Sequence, residues 1–248
     1  MAAQRLLAEG HEVVLHARNG KRAKDARAAA PQAKSVIIGD LGSITETRAL
    51  AEQANHLGRF DAVIHNAGVG YTERREETVD GLEHVFAINV LAPYVLTALI
   101  VRPERLVYMS SGMHRYGDPD LSDLQWKSRR WDGSQAYSDS KLFDLVLALA
   151  IARRWPDVYS NAVDPGWVAT RMGGRGAPDD LGRGSETQSW LAVSGDPEAT
   201  TSGGYWHHMK RREMHRSAGD ERLQERLLAE CERLSGVALP SGAREGKV

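Results

Sequence analysis

Short runs of apolar and β-branched residues alternate with segments of helical periodicity along most of the chain. The runs predict strands at residues 11–16, 35–39, 61–65, 105–110 and 157–163, and the periodic segments predict helices at 2–8, 21–30, 43–56, 78–99 and 135–155. Strands that are buried on both faces have continuous apolar sequences, as these do. The alternation therefore predicts an α/β fold with a doubly wound parallel sheet and helices on both faces.

Most of the residues that directly follow the predicted strands have side chains that can bind a ligand. In a sheet of this kind, right-handed crossovers place ligands beyond the carboxyl ends of the strands. The residues at those ends are Arg18, Asp40, Asn66, Ser111 and Pro165. We therefore expect a binding site along this edge of the sheet.

Composition narrows the class of protein. The chain has 248 residues and no linker rich in Pro, Gly or Ser, which favours a single domain over residues 1–248. A hydrophobic content of 42% and a net charge of −1 are typical of a soluble globular protein and do not favour nucleic-acid binding. No apolar run approaches the roughly 18 residues of a membrane span, and the N-terminus lacks the apolar core of a signal peptide. A cytoplasmic location is therefore expected.

Cysteine and histidine usage indicates no metal site. The single cysteine, Cys231, excludes an intrachain disulfide and a cysteine-rich metal centre. It lies among leucines at helical spacing within residues 220–234, which predicts a buried position on an amphipathic helix. His207, His208 and His215 do not have a recognisable ligand spacing, and a solvated basic loop is the favoured interpretation.

Tyr137 and Lys141 are the most informative pair in the chain. They are separated by one helical repeat at the start of the predicted helix 135–155, so their side chains share a face. Free tyrosine has a pKa of about 10, and a nearby ammonium favours the phenolate and lowers that pKa. The pair predicts a proton donor or acceptor for alcohol and carbonyl chemistry. By itself it is also typical of an amphipathic helix that begins with a snorkelling lysine.

Further motifs occur in a fixed order around this pair. They are Asn66-Ala67-Gly68 after a strand, Asn89 in an apolar helix, Ser110-Ser111 at a strand end, and Pro165-Gly166-Trp167-Val168-Ala169-Thr170 after the last predicted strand. The ordered set resembles the short-chain dehydrogenase/reductase family from the first residues to about Thr170. The long segment 112–134 is similar to the branch that includes retinol dehydrogenases and WW-domain oxidoreductases.

The resemblance implies catalytic roles. Tyr137 would transfer the proton, Lys141 would tune its acidity and bind ribose, and Ser111 would hold the substrate oxygen, with Ser110 as the alternative. Asn89 would position Lys141 through water, or would instead make a structural hydrogen bond between helices.

The resemblance also implies NADP as the cofactor, with NAD less favoured. An arginine at the position of Arg18 accommodates a 2′-phosphate, although Arg18 could also be a solvated loop charge. Asp40 would meet the adenine, or would cap the helix 43–56. The implied cofactor-binding residues are Arg18, Asp40, Leu41, Asn66, Ala67, Gly68, Tyr137, Lys141, Pro165, Gly166, Val168 and Thr170.

The segment 112–134 contains Tyr116, Trp126 and Trp131 among polar residues. Such aromatic side chains can form an apolar wall for a substrate. They can equally cover the core or an oligomer contact, and the sequence leaves the two interpretations open.

One expected element is missing at the N-terminus. A dinucleotide-binding fold begins with a strand and a glycine-rich turn, whereas residues 2–8 already have the pattern of the helix that follows them. We therefore expect an N-terminally truncated family member. The strands 11–16 and 61–65 should either stand apart with an open slot between them or pair directly and displace the helix 2–8, and the open slot is favoured. Dinucleotide binding should be weak.

The sequence thus favours an NADP-dependent oxidoreductase that interconverts an alcohol and a carbonyl compound. The expected partner is a small-molecule substrate, preferably apolar, and a homo-oligomer is possible. The alternative is a catalytically impaired or non-enzymatic relative that acts as an interaction or sensing protein, because the phosphate-binding turn is missing.

Overall fold

A computed structural model of the chain describes residues 1–71, 74–170, 172–174 and 176–242. The strands are β1 Val14–Ala17, β2 Ser35–Ile38, β3 Ala62–His65, β4 Arg105–Met109, β5 Tyr159–Asp164, β6 Tyr205–His207 and β7 Lys210–Arg211. The helices are α1 Ala2–Ala8, α2 Gly20–Ala29, α3 Ile44–His56, α4 His84–Phe86, α5 Ala92–Leu99, α6 Gly133–Arg154, α7 Glu186–Val193 and α8 Glu221–Ser235. A π-helical turn, Ala87–Leu91, joins α4 to α5, and short 3₁₀ turns lie at Gly112–Tyr116, Arg183–Ser185 and Arg216–Gly219.

The strands of the described residues form two sheets, with the orders β1-β2 and β3-β4-β5-β6-β7. All paired strands are parallel except β6 and β7. Within the described part of the chain β1 and β3 share no ladder, and both border one large cavity. The predicted α/β architecture and the predicted open slot between these two strands are both confirmed.

The core is centred on α6. Asp132 caps this helix by accepting hydrogen bonds from the backbone N–H groups of Ser134 and Gln135. The helix is buried along most of its length because it packs against β4, β5 and α8. Cys231 is fully buried on α8, as its spacing predicted. The rigid helix therefore fixes the side chains near its N-terminus relative to the ends of β4 and β5.

The predicted helix 78–99 differs most from the structure. Its first residues form a turn and a short bridge instead, and α4 begins after Glu83. The buried Glu83 carboxylate accepts hydrogen bonds from the N–H groups of Val85 and Phe86, so it supplies the cap that ends the turn. Three other element boundaries differ from the prediction by more than one residue: β1 begins at Val14, β5 begins at Tyr159 and α6 begins at Gly133.

The alternative role of Asp40 as a helix cap is wrong. Ser43 caps α3 by accepting a hydrogen bond from the N–H of Glu46 at 3.3 Å. The Asp40 carboxylate closes a local turn by accepting a hydrogen bond from the N–H of Gly42 at 2.9 Å.

None of the helices in the described residues is long and apolar enough to cross a membrane.

Candidate active site

A large open cavity of about 1310 Å³ runs from the slot between β1 and β3 to the first turns of α6. Its walls bring together most of the residues predicted for a site. The predicted residues that line it are Leu41, Asn66, Ala67, Gly68, Ser110, Ser111, Tyr137, Lys141, Pro165, Gly166, Val168 and Thr170. The expectation of one site at the strand ends is therefore met for Asn66, Ser111 and Pro165, which follow β3, β4 and β5.

Tyr137 lies in the wall of this cavity. Its side chain is 7% exposed, and the neighbouring Ser111 side chain acts to lower its pKa. The ring of Tyr71 contacts the Tyr137 ring edge-on, with 5.9 Å between the ring centroids. The phenol therefore lies beside the serine that follows β4, with its position limited by an aromatic neighbour.

The ammonium of Lys141 is almost fully buried beside Tyr137. Its Nζ donates a hydrogen bond to the Met109 carbonyl at 2.7 Å and another to Asp144 Oδ2 at 2.7 Å. The same nitrogen lies 5.5 Å from the centre of the Tyr137 ring. Lys141 and Asp144 form an ion pair within one helical turn, and both side chains are less than a tenth exposed.

The pKa of Tyr137 is raised, which corrects the expectation that Lys141 would lower it overall. Burial is the largest cause, and the negative charges of Asp144 and Asp164 also raise this pKa. Lys141 and Ser111 lower it, but they do not outweigh burial. The phenol is therefore protonated at neutral pH.

Burial and charge attraction act in opposite directions on both members of the Lys141–Asp144 pair. Burial alone would lower the pKa of Lys141, but Asp144 and Tyr137 together raise it above its usual value. Burial raises the pKa of Asp144, and Lys141 opposes that shift. The ammonium is thus kept charged by a carboxylate that shares its buried site.

The two serines after β4 serve different purposes. Ser110 is buried and donates its hydroxyl to the Lys141 carbonyl at 2.7 Å, which ties the end of β4 to α6. Ser111 is half-buried and accepts a hydrogen bond from the N–H of Met113 at 3.3 Å, while its side chain lies beside Tyr137. Successive strand-end residues thus point to different neighbours, and Ser111 is the one beside Tyr137.

Asn89 lies in the π-helical turn behind the cavity and is not among the lining residues. Its Oδ1 accepts a hydrogen bond from the N–H of Val69 at 2.8 Å. Its Nδ2 donates to the Val69 carbonyl at 3.1 Å and to the hydroxyl of Ser140 at 2.9 Å. Asn89 therefore joins the loop after β3 to the helical turn that carries Lys141.

Arg18 and Asp40 lie outside the cavity lining. Arg18 is exposed just after β1 and makes no ion pair with the described residues. Asp40 is held in the turn after β2, where its N–H donates to Glu46 Oε2 at 2.8 Å. The structure thus groups the residues predicted for the reacting end and leaves these two residues at the periphery.

Sequence reasoning missed several residues of the site. Tyr71, Trp167 and Met172 add apolar surface to the cavity wall, and Asp144 and Asp164 bring negative charge to Tyr137. Asp144 had a usable signal, because a carboxylate one turn after a lysine on a helix is a natural ion-pair partner. Trp167 lay within the motif that follows the last predicted strand, whereas Tyr71 and Met172 had no signal, because the sequence pattern does not fix the course of their loops.

Comparison with known proteins agrees with this arrangement. Residues 1–202 match the family model described as Enoyl-(Acyl carrier protein) reductase. An uncharacterized oxidoreductase of Emericella nidulans is 44% identical over 246 residues, which cover 97% of this chain and 94% of that protein. Human retinol dehydrogenase 13 is 31% identical over 229 residues, covering 82% of this chain and 69% of that protein.

Solved structures share the fold. A crystal structure of a protein from Mycobacterium paratuberculosis has a TM-score of 0.82 and 26% identity, and the match covers 96% of this chain and 89% of that one. A metagenomic blue fluorescent protein in complex with NADPH has a TM-score of 0.60 and 20% identity, covering 83% and 90% of the two chains. The chain belongs to the short-chain dehydrogenase/reductase family, and it is an NAD(P)-dependent oxidoreductase.

The cavity fits a dinucleotide. Its volume of about 1310 Å³ exceeds the roughly 300–1,000 Å³ of a typical small-molecule site. Gly68 lets the loop after β3 approach Asn89 and Lys141 closely, because a Cβ there would lie 3.3 Å from Asn89 Oδ1 and 3.8 Å from Lys141 Nζ. A charged ammonium on the same wall suits a ribose hydroxyl or another oxygen-rich ligand.

Proposed function

We propose that the protein interconverts a carbonyl compound and an alcohol with NADP as its cofactor, and that Tyr137 transfers the proton. The observation that carries the proposal is that Ser111, Tyr137 and Lys141 line one cavity, with Lys141 Nζ 5.5 Å from the centre of the Tyr137 ring. Two hydroxyls that face one cavity can both donate to a single substrate oxygen. The arrangement supports general acid catalysis at that oxygen.

The residues have distinct roles in the proposed reaction. A bound NADPH supplies a hydride to the carbonyl carbon. Ser111 donates a hydrogen bond to the substrate oxygen, and Tyr137 gives that oxygen its proton as charge develops there. Lys141 stabilises the phenolate that remains, and Asn89 keeps the Lys141 turn aligned with the loop after β3.

We assign NADP rather than NAD on the basis of Arg18. An exposed guanidinium after β1, without an ion-pair partner in the described residues, suits the 2′-phosphate of the cofactor. An acidic residue would favour the free ribose hydroxyl instead.

The proposed substrate is a flat, apolar carbonyl compound. Tyr71, Met113, Tyr116, Trp167 and Met172 line the same cavity as Tyr137, and the Tyr71 ring contacts the Tyr137 ring. Aromatic rings and thioethers offer a polarisable apolar surface that suits a conjugated ring system. Trp126 does not line the cavity, because it is buried against Trp131 and Arg129, so this aromatic residue covers the core.

A panel of aromatic and aliphatic ketones, assayed with NADPH, tests the proposal. Tyr137→Phe should lower kcat by about 10²–10⁴-fold, because it removes the proton donor and little else. Tyr116→Phe is the matched control, since it removes an exposed phenol from the same cavity wall and should leave kcat unchanged. Equal rates in the wild type and Tyr137→Phe would remove Tyr137 from the mechanism.

A further inference from the structure

A histidine and a carboxylate meet in the cavity wall and have no role in the proposed proton transfer. Asp164, the last residue of β5, pairs in the sheet with His207, the last residue of β6, and both line the cavity. His207 Nδ1 lies 3.2 Å from the Asp164 carbonyl oxygen and 3.6 Å from Asp164 Oδ2. The Asp164 carboxylate also accepts hydrogen bonds from the N–H of Gly166 at 2.9 Å and from the hydroxyl of Tyr205 at 3.2 Å. The His207 ring is therefore oriented by a residue that is itself anchored.

The contacts of His207 leave one ring nitrogen available to a ligand. Two oxygen acceptors face Nδ1, so the hydrogen of a neutral ring lies on Nδ1, and Nε2 is then an acceptor. Within the described residues Nε2 has no hydrogen-bond partner, and 25% of the side chain is exposed. A mostly buried acceptor without a partner favours a ligand that donates a hydrogen bond to it.

The backbone that follows His207 is strained. His208 and Met209 form the two-residue turn between β6 and β7, with φ values of 50° and 56°. Such a turn favours Asn-Gly, because most side chains disfavour a positive φ. The N–H of Met209 donates to Thr187 Oγ1 at 3.0 Å, which holds the turn against α7. Strain of this kind persists where the surrounding structure fixes it, and it is concentrated at ligand sites.

We propose that His207, oriented by Asp164, is a substrate-binding residue whose Nε2 accepts a hydrogen bond from a hydroxyl group of the substrate. This inference rests on the proposed function and narrows its substrate class. The substrate is an aromatic ketone that carries a hydroxyl group at the end remote from its carbonyl group. The carbonyl oxygen lies at Ser111 and Tyr137, and the hydroxyl lies at His207.

The sheet sets the distance between these two polar contacts. Because β4 pairs with β5 and β5 with β6, the ends of the three strands lie side by side. Ser111 follows β4, so it lies about two strand spacings, or roughly 10 Å, from His207. Asp164 lies between them, since a Cβ on Gly112 would be 3.3 Å from Asp164 Oδ2. A molecule of two aromatic rings joined end to end spans this distance.

Three acetylbiphenyls test the inference through their dissociation constants. The parent compound has only the acetyl group, and the other two carry a hydroxyl or a methoxy group at the opposite end. Isothermal titration is run with NADP present, because the oxidised cofactor cannot reduce a ketone. The wild type should bind the hydroxyl compound roughly 3- to 10-fold more tightly than the parent, as expected for one hydrogen bond. The methoxy compound cannot donate and should show no gain.

Equal binding of the parent and hydroxyl compounds, or an equal gain from the methoxy group, would overturn the proposal. This comparison uses the wild type alone, so it stays decisive if a variant folds poorly.

Two substitutions of His207 separate Nε2 from the rest of the ring. His207→Asn keeps a donor near Asp164 but has no atom at the position of Nε2, whereas the longer amide of His207→Gln reaches that position. The preference for the hydroxyl compound should be lost in His207→Asn and should return in part in His207→Gln. A preference that survives in His207→Asn would overturn the proposal.

His208→Asn is the matched control. It makes the same substitution at the next residue, whose ring lies 3.9 Å from the His207 ring and which is not among the residues that line the cavity. The preference for the hydroxyl compound should remain in this variant. Equal losses in His207→Asn and His208→Asn would contradict a specific contact at Nε2.

Turnover of the same three ketones with NADPH keeps this inference apart from the proposed function. Preferential binding of the hydroxyl compound without reduction of any of the three ketones would contradict the proposed function and leave the role of His207 intact. Reduction of all three ketones with equal KM and equal dissociation constants would contradict the role of His207 and leave the proposed function intact.

Discussion

At the scale of single residues, burial decides the chemistry of the site. Tyr137 supplies a phenol and Lys141 an ammonium, but the pKa of each depends on its burial and on its neighbours. Asp144 affects both groups, and Ser111 affects Tyr137. In water-like surroundings an ammonium lowers the pKa of a nearby phenol. Here burial raises the pKa of Tyr137 by more than Lys141 lowers it. A sequence can identify the pair, but it cannot give the sign of the net shift.

Arg18 provides a residue-scale prediction on cofactor choice. Arg18→Asp should weaken NADPH binding by roughly 10- to 100-fold, because it removes one charge-assisted phosphate contact of about 1.5–3 kcal/mol. NADH binding should change much less. Lys24→Asp makes the same change of charge further along α2 and serves as the control for a general electrostatic effect. Calorimetric titration with both cofactors measures the difference, and equal losses in the two variants would show that Arg18 makes no specific contact.

At the scale of elements, a buried polar chain joins β3, α5 and β4. His65 Nε2 lies 3.0 Å from the Thr97 hydroxyl, and that hydroxyl lies 2.7 Å from the hydroxyl of Tyr108. Burial lowers the pKa of His65 from 6.5 to about 3, because the charged imidazolium would have no solvent. This series of hydrogen bonds between uncharged side chains therefore links the wall of the cavity to the core.

This burial predicts how stability depends on pH. Between pH 6.5 and about 3, the unfolded chain binds a proton at His65 and the folded chain does not. Stability contributed by the neutral histidine is thus present above pH 6.5 and is lost as the pH falls. The loss should reach about 2 kcal/mol at pH 5.

Urea denaturation of the wild type and His65→Gln at pH 7 and pH 5 measures this effect. The free energy of unfolding of the wild type should fall by about 2 kcal/mol more than that of the variant over this interval. The exposed His56 offers a matched control, because His56→Gln should follow the wild type. A wild type and a His65→Gln variant with parallel pH dependence would contradict the neutral, buried state of His65.

At the scale of the whole molecule, the two sheets and the cavity between β1 and β3 are the main feature. The polar groups that suit a cofactor gather where β3, β4 and β5 end, and α1 and β1 contribute mostly apolar surface. A dinucleotide would therefore find its best contacts at the nicotinamide end. We expect this chain to bind NADPH with a Kd above about 1 µM.

Isothermal titration of residues 1–248 with NADPH measures that affinity. Displacement of bound NADPH by NADP serves as the control for binding at the cofactor site. Micromolar or tighter binding would mean that Arg18, Asn66, Lys141 and Thr170 suffice, and it would overturn the expectation of weak binding.

The sequence predicted the layered architecture well, because continuous apolar strands and amphipathic helices have distinct periods. It also grouped Ser111, Tyr137 and Lys141 correctly in space, since parallel strands end at one edge. It failed at Glu83, where a buried side-chain cap overrode the helical pattern of the preceding residues. It could not foresee the Lys141–Asp144 pair as a charge balance, because that depends on the burial of both groups.

Transfer of deuterium tests the central claim most directly. The enzyme is incubated with NADPH deuterated at both C4 positions of the nicotinamide and with an aromatic ketone, and the product is analysed by mass spectrometry. The account predicts an alcohol that carries deuterium on its carbinol carbon, formed by the wild type and Tyr116→Phe but not by Tyr137→Phe. An alcohol without deuterium, or one formed equally well by Tyr137→Phe, would contradict it.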